Sequence, residues 1–176
     1  MADERDLQRE LQILRYLNGL PQKILSLEHQ ENVPELLLYD LCDKDCFNIK
    51  KAAYLVDNPD FDFMKGVAGM HNDGFFEKIS SPWQDTVKFS KFMKANDFNR
   101  MVRELSRNSM KKDAMADEKI VETIASQFDF QHPSYISWDM KNYNHGILIF
   151  EKDDEHKKVA DHLFKALHLL SFCPIF

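Results

Sequence analysis

The chain has 176 residues, of which 44% are hydrophobic and 30% are charged, and its formal net charge is −6. It contains 14 phenylalanines, five tyrosines and two tryptophans, but only five glycines and six prolines. This composition excludes disordered, collagen-like and linker-dominated chains, because it supplies enough apolar surface to bury a sizeable core. The length predicts a single domain over residues 1–176.

Three features of the sequence bear on its cellular compartment. The first residues, Met1–Asp6, are densely charged, whereas a secretory signal needs a basic start followed by an apolar run. The most apolar stretch, Leu167–Phe176, is about half of the roughly 20 residues needed to cross a bilayer. Three cysteines are an odd number at low density, which argues against a disulfide framework. We therefore predict a cytoplasmic protein without a membrane segment.

The N-terminal segment, residues 4–28, is predicted to be helical. Leucines at steps of four, three and three form one apolar stripe, which predicts an amphipathic helix over residues 4–18: Leu7, Leu11, Leu14 and Leu17. We expect Gly19 to end this helix and Pro21 to start a short second helix through about Glu28.

Two short apolar runs follow, at residues 36–39 and 52–56. Both are typical of strands that are covered on two faces, and the polar stretch 43–45 suits a loop between them. The tract 57–83 mixes turn residues with large apolar residues, and is predicted to be irregular with at most one strand.

A basic helical insertion is predicted over residues 82–126. Ser81–Gln84 is typical of a helix start, because the serine suits the cap, proline the first helical position and glutamine the capping box. One kinked helix or two helices in series should follow. A further helix is predicted over residues 117–126.

The C-terminal part is predicted to hold a hairpin and a last helix. Residues 134–140 alternate between apolar and polar, and residues 147–150 are apolar on both faces, so both segments read as strands. The last helix should begin near Asp153 or Asp154.

This order of elements favours an α+β fold with a mostly antiparallel sheet. Strands come in hairpin-like pairs between groups of helices, without the regular alternation of a parallel doubly wound fold. We predict one domain with about four to five strands, packed with amphipathic helices at both ends of the chain.

Charge is unevenly distributed along the chain. Residues 88–112 carry eight basic and two acidic side chains, so this segment has a charge of +6 and the remainder −12. A subset spaced by three, four and four would form one helical stripe that binds an anion or an acidic partner protein: Arg100, Arg103, Arg107 and Lys111. The alternative is a solvated helix face. Nucleic acid is disfavoured, because the chain is acidic and lacks an aromatic-interleaved basic motif.

Titratable side chains in the irregular tract are the best candidates for a catalytic site. An acid and imidazole cluster could serve a metal-dependent hydrolase or phosphotransfer enzyme: Asp57, Asp60, Asp62 and His71. Ordinary turn chemistry explains the same residues. The window from Asp40 to Cys46 holds two cysteines and three acids, but it lacks the four good ligands of a zinc site. We predict neither a metal nor a cofactor.

Large apolar side chains in the same tract either enter the core or form an exposed patch that grips a partner: Phe61, Phe63, Phe75, Phe76 and Trp83. The C-terminal residues 172–176 pose the same choice.

The hypothesis that these features favour is a small binding or regulatory protein acting through protein–protein contact. The chain has no Gly-rich phosphate loop, nucleophile elbow or zinc-protease motif. A metal-dependent hydrolase or phosphotransfer enzyme is the alternative, and a small-ligand or phosphate-binding domain is a further one. The sequence leaves the oligomeric state open.

Overall fold

The computed structural model describes residues 4–27, 30–72, 82–152 and 160–173. These residues form six α-helices and one five-stranded antiparallel sheet, which confirms the predicted α+β class. Among them, no helix is both long enough and apolar enough to cross a membrane. The helices are α1 (Glu4–Ser26), α2 (Val33–Cys42), α3 (Thr86–Ala95), α4 (Asp97–Glu104), α5 (Asp117–Gln127) and α6 (Ala160–Leu167). The strands are β1 (Ile49–Asn58), β2 (Phe63–His71), β3 (Ser106–Arg107), β4 (Ser134–Asp139) and β5 (His145–Lys152).

The sheet has the order β3-β2-β1-β5-β4, with β1 at its centre. Side chains alternate between two faces along β1, so Tyr54 and Val56 pack on one side while Ala53 and Leu55 pack on the other. The first face is covered by apolar residues of α1, α2, α3 and α6, and the second by those of α4 and α5. Burial on both faces explains why β1 and β5 are almost continuously apolar.

The predicted strand at residues 36–39 is wrong, because these residues lie in helix α2. All four are buried, so the helix has no polar face at this point. A helix that is apolar all round gives no periodic signal, and a short apolar run of this kind reads equally well as a buried strand.

The predicted end of the first helix at Gly19 is also wrong. Helix α1 continues through Gly19 and Pro21 to Ser26. Leu20 and Ile24, on either side of Pro21, are 0% and 5% exposed, so core packing holds the helix together across the proline.

The start of α3 differs from the prediction, and the predicted start of the last helix stays a prediction. Residues 82–84 form a turn, and α3 begins at Thr86, where the Asp85 carboxylate accepts a hydrogen bond from the Lys88 amide. Ser81 lies outside the described residues, as do residues 153–159, where the last helix was predicted to begin. The two helices in series are α3 and α4, separated by Asn96.

Strand β2 lies in the tract that was predicted to be largely irregular, and helix α4 closes its outer edge. Beyond the two-residue β3, the Gly66 amide donates to the Leu105 carbonyl oxygen at 3.0 Å. A Cβ at Gly66 would lie 1.7 Å from the Val102 carbonyl oxygen, so this close approach of helix to strand requires glycine. The Gly69 amide donates to the Asn99 side chain at 2.9 Å.

Candidate binding groove between helices α2, α3 and α4

A groove of about 360 Å³ lies where the start of α2 faces α3 and α4. Glu35 of α2 lies at the base of the groove, and Arg103 of α4 lies next to Glu35. The lining residues combine basic, acidic and small polar side chains: Gln30, Glu31, Asn32, Glu35, Thr86, Val87, Ser90, Lys91, Lys94 and Arg103.

The carboxylate of Glu35 is buried at the base of the groove, with 1% of the residue exposed. It accepts hydrogen bonds from the Asn99 side-chain amide at 2.8 Å and from the Arg103 guanidinium at 2.9 Å. A buried charge is costly unless it is paired and hydrogen-bonded, and these two contacts supply that compensation.

Asn99 connects the base of the groove to the sheet. It is fully buried, and its amide nitrogen also donates to the Met93 carbonyl oxygen at 3.0 Å. Its carbonyl oxygen accepts from the Gly69 amide. Strand β2 therefore positions Asn99 through one hydrogen bond. Asn99 in turn donates to Glu35, and Glu35 accepts from Arg103.

The wall opposite α2 is positively charged. Lys91 and Lys94 lie one helical turn apart on α3 and are exposed, and the Arg103 side chain is 36% exposed. Burial and the neighbouring charge of Arg103 lower the pKa of Lys65, while Glu31 opposes this effect. The hydroxyls of Thr86 and Ser90 add neutral donors to the lining. Such a set of groups is suited to bind carboxylates or phosphates.

The four residues of the predicted basic stripe do not share one helical face. Arg100 and Arg103 lie on α4, which ends at Glu104, so Arg107 falls in β3 and Lys111 in the following turn. Arg100 pairs with Asp97 at 2.7 Å, and Lys111 pairs with Asp117. Only Arg103 of the four reaches the groove.

The structure does not bring the four candidate catalytic residues together. Asp57 is buried near the end of β1, whereas His71 pairs with Lys51, six residues away along β1. At about 3.3 Å per residue, this separation is roughly 20 Å. Asp60 is exposed, and Asp62 accepts hydrogen bonds from Asn108 and the Ser109 amide. In the described part of the chain, no three histidine, cysteine or acidic residues are grouped to hold a metal ion.

Sequence reasoning missed a polar cluster at the end of the sheet, centred on His145. Through strand pairing, His145 stands between Asp57 of β1 and Asp139 of β4. Its Nδ1 lies 3.3 Å from Asp139, and its Nε2 lies 3.4 Å from Asp117 at the start of α5. The register of the β4–β5 hairpin was the signal that could have predicted the pairing of 139 with 145.

This cluster anchors a loop to the sheet. The Asp57 carboxylate accepts hydrogen bonds from the Ser109 hydroxyl and the Lys111 amide, both at 3.0 Å. Burial acts to raise the pKa of Asp117, but hydrogen bonds from Lys111 and Ser137 outweigh it and lower the pKa. Both serine hydroxyls donate to carboxylates and not to His145, so the arrangement does not pair a nucleophile with a base.

The predicted aromatic patch is divided. Phe61 and Phe63 are 82% and 42% exposed at the β1–β2 turn, while Phe75 and Phe76 lie outside the described residues. Tyr143, which the sequence analysis did not single out, is 81% exposed in the neighbouring hairpin turn and has a positive φ of 58°.

Trp83, the fifth residue of that patch, is half-buried. Its indole nitrogen and the Tyr16 hydroxyl both donate to the Asp40 carboxylate. Burial raises the pKa of Asp40, and these two hydrogen bonds only partly oppose the rise. Cys42 and Cys46 are buried free thiols close by, and burial raises the pKa of each.

Comparison with protein-family models, with curated proteins and with solved structures finds no match for this chain.

Proposed function

We propose that this chain is a binding protein that holds an acidic segment of a protein partner in the groove between α2, α3 and α4. The observation that carries this proposal is the convergence of Lys91, Lys94 and Arg103 on one groove whose base is a buried carboxylate. The cytoplasm remains the expected compartment, on the basis of the cysteine content.

Fixed geometry supports recognition at this groove. Because Glu35 holds one nitrogen of the Arg103 guanidinium, the remaining donors of that group are oriented before a ligand arrives. A preorganised donor loses less conformational entropy on binding than a freely rotating one. Lys91 and Lys94 are flexible point charges that can adjust to carboxylates along a segment.

The charge distribution supports an acidic partner. Residues 88–112 carry +6 in a chain of net charge −6, and three basic residues of this segment, Lys91, Lys94 and Arg103, line the groove together with Glu31 and Glu35. Such a separation attracts an acidic segment to the basic side and repels it elsewhere, which raises the association rate and sets the orientation.

The groove also offers an apolar contact. Val87 lines it and is 66% exposed, close to the polar side chains of Asn32 and Ser90. A mixed lining of this kind fits a peptide with carboxylates and one apolar side chain better than it fits a bare inorganic anion.

The test is a binding measurement with a short, fluorescein-labelled, glutamate-rich peptide that carries one central leucine. Fluorescence anisotropy should give saturable binding at low salt that weakens as salt is added. The double variant Lys91→Glu/Lys94→Glu should weaken binding by roughly tenfold or more.

The matched control is Lys50→Glu/Lys119→Glu, which makes the same change in net charge at exposed lysines outside the groove. It should retain nearly all of the affinity. Equal loss in the two double variants would mean that binding follows net charge alone, and no binding by the unmodified chain would overturn the proposal.

A further inference from the structure

Helix α1 presents a row of leucines to solvent. Leu7, Leu11, Leu14 and Leu25 are 54%, 47%, 39% and 67% exposed. The buried residues of the same helix, among them Ile13 and Leu20, lie on a different face. Of the predicted apolar stripe, Leu7, Leu11 and Leu14 are thus exposed, whereas Leu17 is half-buried and packs against the core.

The exposed row follows a coiled-coil spacing. Residues 7, 11, 14, 18 and 25 are separated by steps of four, three, four and seven, which places 7 and 14 at d positions and 11, 18 and 25 at a positions of a heptad. Asn18 is exposed at the central a position. A single asparagine at an a position is a known device for fixing the register of two paired helices. Pro21 occupies the third d position.

We infer that a second copy of this chain packs in parallel along this face of α1 and forms a two-stranded coiled coil. Leucines would pack against leucines at both a and d positions, and Asn18 would pair with Asn18 of the second copy. The inference is independent of the groove, which is formed by other helices.

The charges beside the leucine row specify the parallel orientation. Glu10 is at a g position and Arg15 at the following e position, and both are exposed. In a parallel pair, a g residue faces the e residue five positions later on the other helix, so Glu10 of each copy meets Arg15 of the other. Because the dimer is two-fold symmetric, the contact between Glu10 and Arg15 occurs twice in each dimer.

Within the described residues, the buried face of α1 lies away from the leucine row. At 100° per residue, the centre of the leucine row lies roughly 130° around α1 from Ile13, Leu20 and Ile24. Glu10 lies between the two faces, and its carboxylate is 3.2 Å from His162 of the same chain. A second helix can therefore pack on the exposed row without displacing the buried residues.

The first test is the oligomeric state in analytical ultracentrifugation across a wide range of protein concentrations. The unmodified chain should be a dimer at high concentration, and Leu11→Glu should raise the dimer dissociation constant by roughly tenfold or more. Met101→Glu is the matched control, because Met101 on α4 is also 47% exposed but is remote from the row. Circular dichroism should show that both variants keep the native helix content.

A monomer at every concentration would overturn the inference, as would a dimer that Leu11→Glu and Met101→Glu affect equally. A charge exchange then tests the orientation. Glu10→Arg and Arg15→Glu should each weaken the dimer, and the double exchange should restore it.

Cross-linking provides an independent test of orientation. Asn18→Cys should form a disulfide with its counterpart under mild oxidation in a parallel dimer, because equivalent a positions adjoin. The native cysteines, Cys42, Cys46 and Cys173, are buried and should not react. An antiparallel pair that sets Leu7 opposite Leu25 would instead place residue 18 opposite Leu14. Cross-linking only when Leu14→Cys and Asn18→Cys proteins are mixed would overturn the parallel arrangement.

Discussion

The Arg103 guanidinium lies 2.9 Å from the Glu35 carboxylate, although only 1% of Glu35 is exposed. The arginine belongs to α4 and the glutamate to α2, so this contact joins a helix that covers one face of the sheet to a helix on the other face. It thus links the stability of the fold to the shape of the groove.

Replacing Glu35 should therefore destabilise the fold in a graded way. Glu35→Ala removes one of the two acceptors of the Asn99 amide and the acid that pairs with Arg103, and should lower the free energy of unfolding by about 3 kcal/mol. Glu35→Gln keeps the shape and one acceptor oxygen, and should cost only about 1 kcal/mol. Urea unfolding followed by circular dichroism measures both. The exposed Glu31→Ala serves as control, and a similar loss there would contradict the argument.

Two glycines should respond in opposite directions to the same substitution. Gly66→Ala places a Cβ 1.7 Å from the Val102 carbonyl oxygen, so α4 must move away from β2. We expect a loss of about 3 kcal/mol or more in the free energy of unfolding. Gly19→Ala meets no atom within 4 Å and lies inside α1, where alanine should gain about 0.5–1 kcal/mol. Thermal unfolding distinguishes the two, and a stable Gly66→Ala protein would show that the edge is not tightly closed.

Asp117 should contribute to acid sensitivity. Its pKa in the folded protein is lowered, chiefly by hydrogen bonds from Lys111 and Ser137 that outweigh burial. A lowered folded pKa means that the stabilisation is present above the unfolded value of about 3.9 and is lost as the pH falls through the folded value. Asp117→Asn should thus reduce stability near neutral pH and flatten its fall at low pH. Urea midpoints measured from pH 7 down to about pH 2.5 test this. A constant difference between the two proteins would contradict it.

Asp40 should act in the opposite sense. Burial raises its pKa in the folded protein, so the folded state holds the proton more tightly than the unfolded state does. The corresponding stabilisation is complete below about pH 3.9 and is lost as the pH rises through the folded value. Asp40→Asn keeps an acceptor for Tyr16 and Trp83 and removes this charge. Its stability relative to the unmodified chain should therefore rise between acidic and neutral pH. A relative fall over that range would mean that Asp40 is stabilised as a charged group.

Much of the fold follows from local patterns in the sequence. Strand β4 and helix α5 were predicted from their periodicity, and strands β1 and β5 from short continuous apolar runs. The α2 segment failed because burial on all sides removes the periodic signal. Strand β2 was expected only as one unlocated strand in the tract 57–83, because Gly66 and Gly69 disfavour a strand locally. These glycines are needed because helix α4, about thirty residues later, packs closely on β2.

The groove was less predictable than the fold. The basic excess of residues 88–112 pointed to Arg103. Lys91 and Lys94 were not selected, because Glu35, which lines the same groove, is remote from them in sequence. Glu35 was missed altogether. An acid in the first turn of a helix is ordinary, and its burial depends on Asn99, 64 residues later. Contacts of this range are set by tertiary packing and leave no local pattern.

The hydrogen bond between the Asn99 side chain and the Gly69 amide affects how the protein self-associates when it begins to unfold. An exposed strand edge offers free backbone groups on which another chain can assemble, and such edges promote aggregation. Here the Asn99 side-chain oxygen, and not a neighbouring strand, accepts the hydrogen bond of the Gly69 amide. The Leu105 carbonyl oxygen accepts that of the Gly66 amide. The two glycines that allow this protection carry no side chain that could hinder an incoming strand at positions 66 and 69. Detachment of α4 would thus free these two amides of β2 to pair with another chain, and the docking of α4 disfavours such pairing.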